Sequence, residues 1–122
     1  MKIIQKNEAL RRQKAEGDVH YYLFADYEVI FTEQAPQTKQ QWHHHETIWE
    51  TIFIVDGELR VLWRDEKGDH SRLVHTGDLI ETERSSHTFY NESGRVVRLM
   101  AIKHIKSETD YRETFKNDKI LD

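Results

Sequence analysis

The sequence predicts an all-β fold, an antiparallel barrel or sandwich. Nine short runs rich in β-branched and aromatic residues fill positions 19–105. Turn-forming residues punctuate them at Asp56-Gly57, Lys67-Gly68-Asp69, Gly77-Asp78 and Ser93-Gly94. No long helical period interrupts the series, and strands at this spacing build barrels and sandwiches.

Residues 6–16 (KNEALRRQKAE) carry good helix formers, but only Ala9, Leu10 and Ala15 as an apolar stripe. A short helix or an ordered arm is expected there. Strands follow at 19–24 (VHYYLF), 27–33 (YEVIFTE) and 41–45 (QWHHH). The strongest pattern is 47–55 (TIWETIFIV), and Asp56-Gly57 turns it into 58–63 (ELRVLW). Further strands read at 71–75, 78–82, 87–91 (HTFYN) and 95–105 (RVVRLMAIKHI). Ser107-Glu108-Thr109-Asp110 resembles a helix start, so a short closing helix is expected within 108–117. With no repeat, linker or low-complexity segment, residues 1–122 read as one domain with a barrel core at about 19–105.

Composition narrows the function. The chain has no cysteine, which removes disulfides, thiolate nucleophiles, zinc fingers and iron–sulfur clusters. Its net charge of −4 gives no field that favours nucleic acid. No apolar run approaches the roughly 20 residues of a membrane span, and the first residues turn polar before any signal-peptide core. A soluble cytoplasmic protein is expected. Apolar residues make up only 37% of the chain while eight histidines are present, so imidazole is the surplus polar group.

The informative stretch is Trp42-His43-His44-His45-Glu46-Thr47-Ile48-Trp49-Glu50. Alternation along a strand points His43 and His45 to one side and His44 to the other. Two imidazoles on one face can converge on an ion. Glu50 lies five residues past His45, an odd offset that requires the chain to turn or switch strands between them. His87 is a fourth candidate, on one strand face with Phe89 and Asn91. A lone HxH is weak evidence by itself. His20, His70, His75 and His104 have no comparable context and read as surface or hydrogen-bonded residues, and Glu46 reads as a solvated turn residue.

At this point the residues resemble a family. His43-x-His45, four residues, Glu50, six residues and Gly57 resemble the first signature motif of the cupin superfamily. Gly77-Asp78-Leu79-Ile80, then His87, three residues and Asn91, resemble the second. Two departures stand out. Gln37 occupies the usual opening glycine of the first motif. Glu83-Arg84-Ser85-Ser86 replaces the usual Pro-x-Gly stretch of the second and makes it one residue shorter. The resemblance implies a double-stranded β-helix, a jelly-roll barrel, holding one divalent transition metal on His43, His45, Glu50 and His87. Fe, Mn, Ni, Co and Zn all suit three nitrogens and one carboxylate, and one or two open positions would remain for a substrate.

Away from the motifs, Glu50, Ile52 and Ile54 share one face of their strand and Trp49, Thr51, Phe53 and Val55 the other. Both faces are largely apolar, so cover on both sides is expected, the outer one from a second subunit of a homodimer. On the last strand, one set would place Arg98 and His104 inside, where Arg98 could clamp an anionic substrate. The set of Arg95, Val97, Leu99, Ala101, Lys103 and Ile105 is the more regular core face and turns both outward. Tyr22, Tyr90 and Glu81 are candidate acid/base groups without a catalytic assignment. The reading is a metal-dependent enzyme on a small molecule, of dioxygenase, isomerase or cyclase type. Its alternatives are a non-catalytic ligand- or metal-binding module and a scaffold with an incidental site.

Overall fold

A computed structural model describes all 122 residues. Ten strands form two antiparallel sheets that face each other across one core. The six-stranded sheet runs β1 (Leu10–Lys14), β2 (Gly17–Leu23), β3 (Tyr27–Gln34), β10 (Val97–Ile105), β5 (Ile48–Asp56) and β8 (Leu79–Glu81). The four-stranded sheet runs β4 (Thr38–Lys39), β9 (Ser86–Asn91), β6 (Glu58–Asp65) and β7 (Gly68–His75). No helix is long and apolar enough to cross a membrane.

The core follows from period-two alternation. Ile52, Ile54, Val97, Leu99, Leu59, Val61 and Phe89, drawn from both sheets, are buried against one another. On β5, Glu50, Ile52 and Ile54 are buried, while Phe53 and Val55 are 37% and 40% exposed. The expected outer cover of this strand is therefore not supplied by the chain's own elements. On β10, Val97, Leu99 and Ala101 face the core, and Arg98 turns out to pair with Glu33 and Asp56. The more regular face is the inner one.

Gly57 makes the β5–β6 turn with φ at +109°, where a Cβ would also press on Val97 at 3.1 Å. Gly17 starts β2 so close to β3 that a Cβ would fall 2.1 Å from the Glu33 carbonyl oxygen.

The N-terminal segment takes the second of its two expected forms, an ordered arm in place of a helix. Only Lys6–Glu8 winds into a single 3₁₀ turn, and Leu10–Lys14 is a strand paired with β2 from Leu10↔Tyr21 to Lys14↔Gly17. A helix with three apolar residues has little face to bury, whereas pairing along β2 satisfies the backbone directly. The segment 41–45 is also not a strand: His43 makes only an isolated bridge with His87. The two-residue strand β4 is too short to show a period. The closing helix, α1, spans Arg112–Asn117, and none of its residues is buried.

Candidate metal centre

The site lies between the sheets. His43 is tied to the four-stranded sheet by reciprocal backbone hydrogen bonds with His87, at 3.0 and 2.9 Å. The chain bends at 46–47 and enters β5, so Glu50 arrives from the six-stranded sheet. The odd offset between His45 and Glu50 is thus resolved by a change of sheet. The ligand atoms of His43, His45 and Glu50 lie within 4.8 Å of one another, a cluster that could hold a metal ion. His44 points away, with its side chain 54% exposed and its nearest carboxylate on the solvated Glu46.

His87 borders this cluster. Its Nε2 is 3.7 Å from Glu50 Oε1, and His45 Nε2 is 3.6 Å from Glu50 Oε2. Both separations exceed hydrogen-bond length. The Nε2 atoms of His45 and His87 are buried and make no hydrogen bond. Two unpartnered buried nitrogens beside a buried carboxylate are costly unless something fills the space between them. A divalent cation fits that donor set.

Two further hydrogen bonds set the tautomers. His43 Nδ1 is 2.8 Å from the Gln41 carbonyl and His87 Nδ1 is 2.7 Å from the Ser85 carbonyl. Donation from Nδ1 leaves each Nε2 with a free lone pair, the usual arrangement of a ligating histidine. The short 83–86 loop thereby supports His87. Ser85 donates to the Thr82 carbonyl, and Thr82 in turn bonds the Glu50 carbonyl. Glu83 and Arg84 adopt φ of +48° and +64°, the left-handed conformation that a glycine would take more easily. Gln37 does the same at +57°, and its side chain donates to the carbonyls of Glu92 and Ser93.

Electrostatics favours deprotonated ligands. Burial pushes the His45 imidazole below its ordinary 6.5, helped by Lys103, His43 and His87 and opposed by Glu50. Burial alone would push the Glu50 carboxyl up. The neighbouring His87 side chain and the Lys103 ammonium, joined by His45 and His87 when those rings are protonated, outweigh it and hold the carboxyl below 4.5. Neutral imidazole and ionised carboxylate are the forms a metal needs.

The core divides two cavities, with Phe89 lining both. His43, His45 and Glu50 line one of about 640 Å³, and His87 lines the other, of about 860 Å³. None of the three acid/base candidates, Tyr22, Tyr90 and Glu81, reaches the smaller cavity. Its titratable groups besides the ligands are Lys14, Glu16, Tyr21, Lys39 and Lys103. Lys103 was legible as a charge on the inward face of the last strand. Gln34 gave no such signal: it is fully buried and donates to the carbonyls of Thr38 and Phe89. Asn91 is fully buried as well, and reaches the carbonyls of Gln34, Ala35 and Arg95.

The other histidines stand apart from the centre. His70 bonds Asp65 at 2.8 Å, His75 is exposed, and His104 lies 3.2 Å from the Ile105 carbonyl. His20 departs from its expected role: it is 6% exposed, with Nδ1 unpartnered.

Solved structures share this architecture. A Bacillus subtilis oxalate decarboxylase variant matches with TM-score 0.72 and 17% identity over 87% of this chain and 30% of its own. The Lactobacillus farciminis oxalate decarboxylase–formate complex matches with TM-score 0.74 and 16% identity over 89% and 34%. Drosophila melanogaster CENP-C, bound to CAL1, matches with TM-score 0.70 and 20% identity over 83% and 84%. The chain thus spans about a third of the decarboxylases' length. At these identities the likeness is one of fold. No curated protein matches the sequence. The family model described as "Cupin domain" matches residues 30–103, which contain both motifs and the whole His43, His45, Glu50 and His87 set. The chain belongs to the cupin family.

Proposed function

We propose that this cupin binds one divalent transition metal on His43, His45, Glu50 and His87, and uses it to act on a small organic molecule. The observation that carries the reading is the pair of buried, unpartnered Nε2 atoms on His45 and His87 facing one buried carboxylate. When bound, the ion supplies Lewis-acid or redox chemistry beside the cavity. The chain's own residues do the rest. The Gln41 and Ser85 carbonyls orient two imidazoles, and the apolar walls at Ile52, Leu99 and Phe89 limit water around the ligand.

The test is metal content after purification without chelators or nickel resin. Wild type should hold about one ion per chain, and Glu50→Ala should lose at least tenfold in metal affinity. Equal retention by the variant would defeat the ligand assignment. Oxygen uptake and substrate turnover by the metal-loaded protein then address the enzyme class, of dioxygenase, isomerase or cyclase type.

A second reading, a non-catalytic binding module, is favoured by one observation. Apart from the ligands, the cavity offers Glu16, Tyr21 and three lysines but no further histidine to pair with a carboxylate for proton transfer. Ligand binding without turnover would select it. A homodimer belongs to either reading. It is supported by Phe53 and Leu79, neighbours in register that stand 37% and 58% exposed on the outer sheet face.

A further inference from the structure

The cavity on the Glu50 side carries more positive charge than its ligand set explains. Besides the three clustered ligands, its walls hold three lysines and only one other carboxylate, Glu16. The opposite cavity is balanced differently, with three arginines against four carboxylates. Among the three lysines, Lys103 is the one placed at the centre. It lies opposite Glu50 in register, two residues past Ala101 on the inward face of β10. Its ammonium sits 3.8 Å from Glu50 Oε2, its one ion-pair partner.

A lysine on a core face costs desolvation, so its charge needs an opposite one close by. Glu50 provides it only while that carboxylate is free. Once a divalent ion is held on Glu50, the cavity contains the ion's excess charge together with an ammonium that must share its counter-charge with the ion. Partial burial weakens solvent screening there, so the excess attracts an anion. The surrounding walls at Ile52, Phe89 and Leu99 are apolar, which suits a ligand with a short hydrocarbon body.

We infer that Lys103 is an anion-binding residue and that this cavity takes a small organic carboxylate, whose carboxyl group accepts a hydrogen bond from Lys103 beside the metal ligands. The inference rests on the metal-binding reading, and its test keeps the two apart. Binding of benzoate, benzyl alcohol and phenyl phosphate is measured by calorimetry on metal-loaded wild type, Lys103→Met and Lys103→Arg. Metal content is measured separately by elemental analysis.

Wild type should bind benzoate about tenfold or more tighter than benzyl alcohol. Lys103→Met should abolish that preference with its metal retained, and Lys103→Arg should restore part of it. Lys103→Gln serves in place of the Met variant if that one does not fold. Equal binding of benzoate and benzyl alcohol by wild type, or no benzoate binding, overturns the inference. A preference for phenyl phosphate overturns the carboxylate class. Joint loss of metal and benzoate in both uncharged variants makes Lys103 a support for Glu50 and overturns its role toward the ligand. If wild type holds no metal yet shows a benzoate preference that depends on Lys103, the metal reading fails and the anion site stands.

Discussion

The two faces of β5 have nearly the same apolar content and opposite environments. Inward, Glu50, Ile52 and Ile54 are at most 5% exposed, while outward Phe53 and Val55 are more than a third exposed. The inner face meets the four-stranded sheet and carries the one carboxylate of the candidate metal cluster. At its far end the outer face has only cross-strand neighbours, Met100 and Leu79 beside Phe53, while Trp49 at its start is overlaid by Lys106 and Arg84. Hydrophobicity along a strand therefore says which residues can be buried, and the opposing layer decides which ones are.

The largest expected effect breaks the inner face. Ile54 is fully buried, so Ile54→Ala removes packed methyl groups and leaves a cavity, costing about 2–5 kcal/mol. Phe53→Ala, one residue away, should cost about 1 kcal/mol or less in the isolated chain. Urea melts at several protein concentrations compare them. If a second copy covers the outer face, the cost of Phe53→Ala grows with protein concentration and the variant sediments nearer the 14.7 kDa chain mass than wild type. Equal costs at low concentration would show that the two faces do not differ as described.

How far the sequence carried can be argued from the same strand. Alternation placed Glu50, Ile52 and Ile54 together, and the HxH spacing with its odd offset to Glu50 required a change of strand. Both are consequences of local geometry, which a sequence encodes directly. The outer cover was not legible, because it depends on what lies opposite a face. The choice between helix and ordered arm at the N-terminal segment was open for a related reason: Arg, Gln and Lys favour a helix locally, but β2 offered an unpaired edge. Lys103 was visible as a charge on an apolar face, but its 3.8 Å approach to Glu50 depends on the register of β10 against β5.

A pH series sharpens the inner face. In metal-free protein His45 binds its proton less readily than in the unfolded chain, since its folded pKa lies below 6.5. The unfolded state therefore binds more protons as pH falls through 6.5, and stability drops in that window. Glu50 acts lower. Its folded pKa is depressed, so its contribution is present above 4.5 and is lost as pH falls through the folded value. Thermal melts between pH 7.5 and 5 should show a decline that His45→Gln flattens. An unchanged slope in that variant would remove His45 as the cause.

The smallest expected effect belongs to the outer face, at the loop that also supports the site. Arg84 sits in the left-handed region, with its guanidinium 5.8 Å from the Trp49 ring on the outward side of β5. Arg84→Gly relieves a Cβ clash worth roughly 1–2 kcal/mol and gives back part of it through greater freedom of the unfolded chain. The net gain should be below about 1 kcal/mol, a rise of a few degrees in Tm. Arg84→Ala keeps the clash and loses only the distant ring contact, so its Tm should not rise. Metal retention should be unchanged in both, because His87 is oriented by the Ser85 carbonyl, which neither substitution removes. If Arg84→Gly instead lowers Tm or loosens the metal, then the loop's conformation is held by the Arg84 side chain. The outer face would then take part in placing His87, and the separation of the two faces would end at Trp49.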